Sequence, residues 1–405
     1  MRTRIVLWLL LATNFLATTV VGQEGQAATP PSDPALSDQD KQEVEMGKKG
    51  LAEVQASGKL GKDEAILARI RTIGNALAEI AKRKELQPTY GYGRRAPFDY
   101  QFFYIEDKDV NAFAMPGGFI FVHSGLLDFV ESDDELAAVL AHEIIHAAHH
   151  HLRKVGEDQA KVNRDSMLAA LAAALATGGG SENTYNIITG TMLYQVARTN
   201  RYILKAELDA DIGAYALLRE SPYNPVGMLT MMERLYWKNA MQPALDWGIF
   251  QTHPPTAERA SNVLHMLAQD RVPVRRSAVS SSNRAVAKLV TEGDTKFQEV
   301  TLGDLRIVRL VADPEPADPL SRANGMLPAL NLLLDSELEL YEVSAPAPGR
   351  IAARGVTLVE FGEDDARANG QTMAEMTKQV REQVRRVVNL LTRIRSLSSQ
   401  PFRLD

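Results

Sequence analysis

The chain has no cysteine, which excludes structural disulfides and a lipid-modified N-terminal cysteine. It has no basic excess either: 45 Lys and Arg against 51 Asp and Glu give a formal charge of −6, a sign that argues against nucleic acid or an anionic lipid surface as a default partner. A long internal hydrophobic run is missing as well. Met167 to Gly180 is apolar for about a dozen residues, against the roughly 20 that a spanning helix needs. It reads better as a hairpin of apolar helices, broken at Gly178-Gly179-Gly180 and resumed from Tyr185 to Val196. There is also no repeat of tetratricopeptide length.

One apolar run remains, at the N-terminus. Arg2 and Arg4 precede Ile5 to Val21, interrupted by Asn14, and small residues near Gly22 or Ala27 suit a signal peptidase. Residues 1–22 are therefore expected to be an export signal, whose removal takes away the two arginines and moves the charge from −6 to −8. The competing reading is a retained membrane anchor, since the run is near the lower limit for spanning. Residues 23–37, rich in Pro, Ser, Gly and Ala, read as a flexible lead-in.

With 405 residues, 45% of them apolar, the chain can build two packed domains. The first is expected over 38–270. Composition changes after Arg271, and 271–290, around Arg275, Arg276 and Ser277 to Asn283, reads as a linker to a small α+β domain over 291–405. That domain is expected to alternate strand and helix: Leu305 to Val311, Leu320 to Leu338, Arg350 to Phe361, then a long final helix. The last helix opens on a capping box, Thr372 to Glu375, and places Met376, Val380, Val384, Val387, Leu391 and Ile394 on one face. No catalytic constellation lies there, which leaves docking or regulation.

The chemistry concentrates at His142-Glu143-Ile144-Ile145-His146. Residues four apart share a helical face, so both imidazoles can grip one ion while Glu143 reaches a water bound to it. Neutral imidazole suits zinc, the ion lowers the pKa of water from about 15.7 toward about 7, and the carboxylate takes the proton as general base. The flanks predict a helix of about five turns. Ser132-Asp133-Asp134-Glu135 is a capping box, Leu136, Val139 and Leu140 give an apolar stripe, and Arg153 and Lys154 mark the C-terminal end. Five of the eight histidines fall between His142 and His151. His149, His150 and His151 cover several helical faces, and the expectation is a solvated, weakly basic surface rather than a second metal site.

A metzincin would carry a glycine three places and a histidine six places beyond His146; His149 and Leu152 stand there, so the third ligand comes from elsewhere. Tyr202 to Leu218 reads as a second helix carrying Glu207-Leu208-Asp209-Ala210-Asp211, with Glu207 and Asp211 on one face. Glu207 completes a His₂Glu set that leaves a fourth position for water, and Asp211, one turn on, is placed to hold a ligand histidine by its other nitrogen.

Four motifs in order, HEIIH, ELDAD, the upstream Asn111 to Val122 (NAFAMPGGFIFV) and the downstream Thr252 to Arg259 (THPPTAER), resemble metallopeptidase family 48. The resemblance runs from about Gln42 to Leu267 and is to the exported BepA-like and LoiP-like branch, related to HtpX and Oma-type enzymes. It implies that His142, His146 and Glu207 bind one zinc per chain and that Glu143 is the catalytic base. It also implies an edge strand beside the cleft, with Asn111, Ala112, Phe113, Ala114, Gly117 and Gly118 binding substrate. An edge strand can pair with the backbone of an extended peptide. His253, before Pro254 and Pro255, is either a fourth ligand that latches the enzyme, a donor to the transition state, or a structural residue; Arg259 is a second candidate to assist the metal. The apolar hairpin is a lid or a buried helix pair. Departures are mild: His150 stands where Arg is usual, and Met115 where Leu is common.

The expected fold is α+β: a mainly helical, gluzincin-like zinc metallopeptidase core with a short edge-strand sheet, plus the small C-terminal α+β domain. The expected activity is hydrolysis of peptide bonds in unfolded or misassembled polypeptides, in the periplasm or cell envelope, with peripheral membrane or envelope-complex contact and no nucleic acid partner. Two rivals stand beside it: a zinc-latched chaperone or assembly factor, and a zinc hydrolase of non-peptide substrates.

Overall fold

The computed structural model describes residues 35–92, 98–158, 200–241, 253, 257–314 and 317–396. The expected export signal, nearly all of the expected lead-in and the stretch 167–196 read as an apolar hairpin lie outside the described residues.

The motif helix is α4, Asp133–Ala148, after α1 (Asp38–Ala56), α2 (Glu64–Arg83) and α3 (Ser124–Phe129). Leu136, Ala137, Leu140, Ala141, Ile144 and Ile145 are all fully buried, so α4 runs through the core rather than along its surface. Ser132 caps it as expected, its hydroxyl accepting from Glu135 N at 3.2 Å. The other half of the capping box goes elsewhere. Glu135 accepts from Glu131 N, Thr230 Oγ1 and Arg234 Nη2, at 2.8, 2.8 and 2.9 Å, because a fully buried carboxylate needs stronger donors than one backbone N–H.

α4 also ends earlier than expected. His150 adopts a left-handed φ of 54°, and helical backbone resumes over 151–158, so Arg153 and Lys154 belong to the next segment. Its imidazole Nδ1 lies 2.8 Å from Glu43 Oε2 on α1, a tertiary contact that holds the break.

Further helices among the described residues are α5 (Asn200–Leu218), α6 (Val226–Met241) and α7 (Ala257–Gln269). The sheet beside them has the order β1-β3-β2, with β1 (Gln101–Ile105) parallel to β3 (Phe119–His123) and β2 (Ala112–Met115) antiparallel to it. β2 is thus an edge strand. The turn between β2 and β3 needs its glycines: Gly117 has φ +81° and a Cβ there would meet Val44 Cα at 2.5 Å.

The C-terminal part has its own core. β4 (Ala285–Glu292), β5 (Thr295–Leu302) and β6 (Leu305–Val311) form an antiparallel sheet. After α8 (Arg276–Val279) and these strands come α9 (Ser321–Asp335), a second antiparallel sheet of β7 (Ser344–Ala347), β8 (Arg350–Ala353) and β9 (Val356–Glu360), then α10 (Glu363–Ala368) and α11 (Met373–Arg395). The stretch Arg350 to Phe361 is therefore a hairpin rather than one strand, because Arg354 and Gly355 turn the chain at positive φ. On α11 both halves of the Thr372–Glu375 capping box form, and the named apolar face is buried except for half-buried Ile394. The molecule is mixed α+β.

The stretch read as a linker carries regular structure: it contains α8 and the start of β4. Val279 belongs to the first core and Ala285 to the second. Arg276, 1% exposed, is bound to Glu233 of α6 through two bonds of 2.7 and 2.8 Å, and Ser277 Oγ donates to Asp335 at 2.6 Å. A Ser- and Arg-rich composition suggests solvated chain; here those side chains bind the buried carboxylate of Glu233 and the half-buried one of Asp335. Removing one partner of such a pair strands a buried charge. Glu233→Gln is expected to lower unfolding free energy by about 3–5 kcal/mol, and Glu233→Met with Arg276→Met to recover most of it. Urea titration of the full chain checks this; a loss under about 1 kcal/mol for the single variant contradicts it.

Candidate metal centre

α4 and α5 carry the expected ligands, and Gly213 lets the two helices approach. A Cβ at Gly213 would meet three atoms of the Ile145 side chain at 2.8 Å. Across this contact Glu207 Oε2 lies 3.2 Å from His142 Nε2, and Glu207 Oε1 lies 3.2 Å from His146 Nε2. The two Nε2 atoms are 3.0 Å apart. His253 joins them: its Nδ1 is 3.0 Å from Glu207 Oε1 and 3.3 Å from His142 Nε2. Glu143, 2% exposed, faces the other side of that imidazole, with Oε1 3.4 Å from His253 Nε2.

Asp211 lies behind His142, Oδ1 3.0 Å from Nδ1. That contact requires the proton on Nδ1 and turns the Nε2 lone pair toward the other donors. Arg259, 5% exposed, grips the same carboxylate through Nε and Nη2 at 2.7 and 2.8 Å, while Nη1 lies 2.8 Å from Glu207 Oε2. For His142, burial works against protonation, yet the charge on Glu207 and the bonds to Asp211 and Glu207 push its pKa up to about 9. Glu207 is also buried, which would raise it, but His253 and Arg259 hold its carboxyl well below the usual range. His146 goes the other way, burial holding its pKa well below the ordinary value.

Lone-pair nitrogens facing each other and a carboxylate repel unless a cation lies among them. Donors bound at about 2.0–2.2 Å to a tetrahedral ion stand roughly 3.3 Å apart, close to the 3.0–3.3 Å observed. Among the described residues this is a set of three nitrogens and one carboxylate within 4.8 Å of one another, on buried His142 and Glu207 and half-buried His146 and His253. Its donors fit zinc.

The structure brings His142, Glu143, His146, Glu207, Asp211 and His253 together. Arg259 lines the cleft beside Glu143 and His253 and binds the carboxylates of Glu207 and Asp211. Ala112, Phe113 and Ala114 lie on edge strand β2, but the Phe113 ring stacks on Phe121 at 5.1 Å and is core. Asn111 is buried before the strand, its carbonyl accepting from His123 N at 2.9 Å. Gly117 and Gly118 form the turn against α1 and Phe98. The reading of His149, His150 and His151 as a solvated surface is overturned: they are 5%, 3% and 2% exposed. The left-handed residue at 150 folds them inward, against carboxylates that local sequence could not reveal. A further residue that sequence reasoning passed over is Asp209, which accepts from Thr89 N at 2.5 Å and lies 3.0 Å from His151 Nε2. Its only signal was its place between two functional acids. One wall of the cleft beside Glu143 is a methionine-rich face of α6, Met228, Met231 and Met232 with Leu235.

Comparison with known proteins matches the model of peptidase family M48 over residues 71–267. The chain is 27% identical over 237 residues to the beta-barrel assembly-enhancing protease of Escherichia coli K12, covering 58% of this chain and 46% of that protein. It is 30% identical over 204 residues to metalloprotease LoiP of the same organism, 50% of this chain and 71% of that one. With the mitochondrial metalloendopeptidase OMA1 of Schizosaccharomyces pombe it shares 31% identity over 170 residues, 42% of this chain and 47% of that one. The chain thus spans about half the length of the first of these relatives.

Purified protein is expected to hold about one zinc per chain, and His146→Ala and Glu207→Ala to lose it. Elemental analysis decides; full occupancy in both variants removes the assignment.

Proposed function

Because the chain belongs to peptidase family M48, we propose that it is a zinc-dependent metalloendopeptidase whose ligands are His142, His146 and Glu207 and whose base is Glu143. The observation that carries this reading is the convergence of those donors at tetrahedral spacing beside a buried glutamate. When bound, zinc supplies Lewis acidity to a water and to the substrate carbonyl. Glu143 takes the proton of the attacking water on its carboxylate and delivers it to the leaving nitrogen as the C–N bond breaks. Asp211 keeps His142 in the tautomer that ligates, and Arg259 fixes Glu207 and Asp211 together. The substrate backbone is taken by edge strand β2, which would fix an extended peptide without reading much of its sequence.

The signal-like N-terminus and the name of the beta-barrel assembly-enhancing relative support a role in envelope protein quality control, acting on unfolded or misassembled polypeptides. Among the described residues no helix is long and apolar enough to cross a membrane. The C-terminal domain, from about Ala285, serves docking or regulation in this reading. The position of His253 favours a second state of the same enzyme, in which its Nδ1 fills the fourth place and displaces water. In that latched form the protein would act as a client-binding assembly factor with little basal proteolysis.

Glu143→Gln is expected to keep zinc and fold while hydrolysis of an unfolded protein substrate falls at least about a hundredfold. Activity within a few-fold of wild type would move the base elsewhere. His253→Ala should raise basal proteolysis and self-cleavage at unchanged zinc content. If hydrolysis is lost instead, His253 is a donor to the transition state and the latch is abandoned.

A further inference from the structure

His146 differs from His142 in what stands behind it. The Nδ1 of His142 meets a carboxylate directly, that of Asp211. The Nδ1 of His146 meets another imidazole: His151 Nδ1 lies 3.0 Å away, with the rings edge to face at 4.8 Å. The far nitrogen of His151, Nε2, is 3.0 Å from Asp209 Oδ2 and 3.1 Å from the carbonyl oxygen of Tyr90.

We infer that His151, seated on Asp209, is the positioning residue of ligand His146, so that each ligand histidine is oriented by a different aspartate of the Glu207–Asp211 segment, one directly and one through an intervening imidazole. This rests on the reading of His146 as a zinc ligand. With Nε2 of His146 given to the ion, its proton sits on Nδ1 and is donated to His151 Nδ1. His151 then carries its own proton on Nε2 and donates it to Asp209. Every donor in this chain has an acceptor, and no nitrogen is protonated twice.

Asp209 is built to receive that bond. Its Oδ1 accepts from Thr89 N, Thr89 Oγ1 and Tyr90 N at 2.5, 2.9 and 3.1 Å, and its Oδ2 also meets His149 Nδ1 at 2.5 Å. The segment is held from both sides. The amide of Tyr92 donates to the His149 carbonyl at 3.1 Å, and Gly91 is needed for that approach, since a Cβ there would fall 2.4 Å from the same oxygen. The left-handed φ of His150 swings His151 back beneath His146, and Glu43 pins the His150 ring.

A second metal ion held by His149, His151 and Asp209 is the other reading of this cluster. One distance opposes it. Ligands of a tetrahedral ion stand roughly 3.3 Å apart, whereas His149 Nδ1 stands only 2.5 Å from Asp209 Oδ2, a separation that fits a charge-assisted hydrogen bond and not two donors of one ion.

The test measures zinc affinity of the full chain by chelator competition, and the visible spectrum after cobalt replaces zinc. His151→Phe keeps the ring but removes the acceptor, and is expected to weaken zinc binding about 10–100-fold. His149→Phe removes a donor to Asp209 without touching His146, and should stay within a few-fold of wild type. Asp209→Asn, close in shape, should weaken zinc and shift the cobalt bands, and it carries the test if His151→Phe does not fold. Wild-type affinity and unchanged bands in Asp209→Asn, or equal losses in the His149 and His151 variants tracking their melting temperatures, overturn the inference and leave the enzyme reading intact. A wild-type chain that binds no zinc overturns both.

Discussion

Arg259 is a permanently charged group, 5% exposed, between two buried carboxylates, and the geometry of the cleft depends on that arrangement. Guanidinium stays ionised at any working pH, so it fixes Glu207 and Asp211 as anions against the burial that would otherwise neutralise them. Asp211 then sets the tautomer of His142, and Glu207 presents an oxygen to each imidazole. One side chain from α7 therefore determines what two residues on α5 offer to two on α4. The planar fork matters as much as the charge: two of its nitrogens hold Asp211 and a third reaches Glu207, a reach that lysine, with one nitrogen, cannot reproduce.

What was legible in the sequence was whatever depends on spacing within one element. His142 and His146, or Glu207 and Asp211, share a helical face by geometry alone, and Ser132 and Thr372 announced helix starts through bonds three residues long. Contacts between distant elements were not legible. Nothing near His150 announces that Glu43 will capture its ring, so α4 was drawn too long and the three adjacent histidines were placed in solvent. Nothing in the local sequence gives Asp209 a role, because its donors, Thr89 and Tyr90, lie far upstream. Arg259 could be chosen as a functional residue from its motif, but which carboxylates it binds is decided by how α7 packs on α5.

The C-terminal part repeats one plan, three antiparallel strands followed by helix, first with β4 to β6 and α9, then with β7 to β9 and α10 to α11. Each three-stranded sheet has one face to cover, and the long apolar stripe of α11 supplies much of that cover in a shared core. Periodicity revealed the helices well. The strands are harder, since short strands joined by two-residue turns such as Arg354-Gly355 leave little in the sequence to divide them.

The anchoring of Arg276 on Glu233 bears on where the protein can be cut. Glu233 belongs to the region shared with the family, which ends at residue 267, whereas its cation lies beyond that limit. A fragment trimmed to the family boundary would lose the guanidinium that two bonds seat on this buried carboxylate, on the same helix whose methionine face walls the cleft. A piece of this chain that keeps the pair intact is therefore longer than the homologous segment, since it includes the short helix that delivers Arg276.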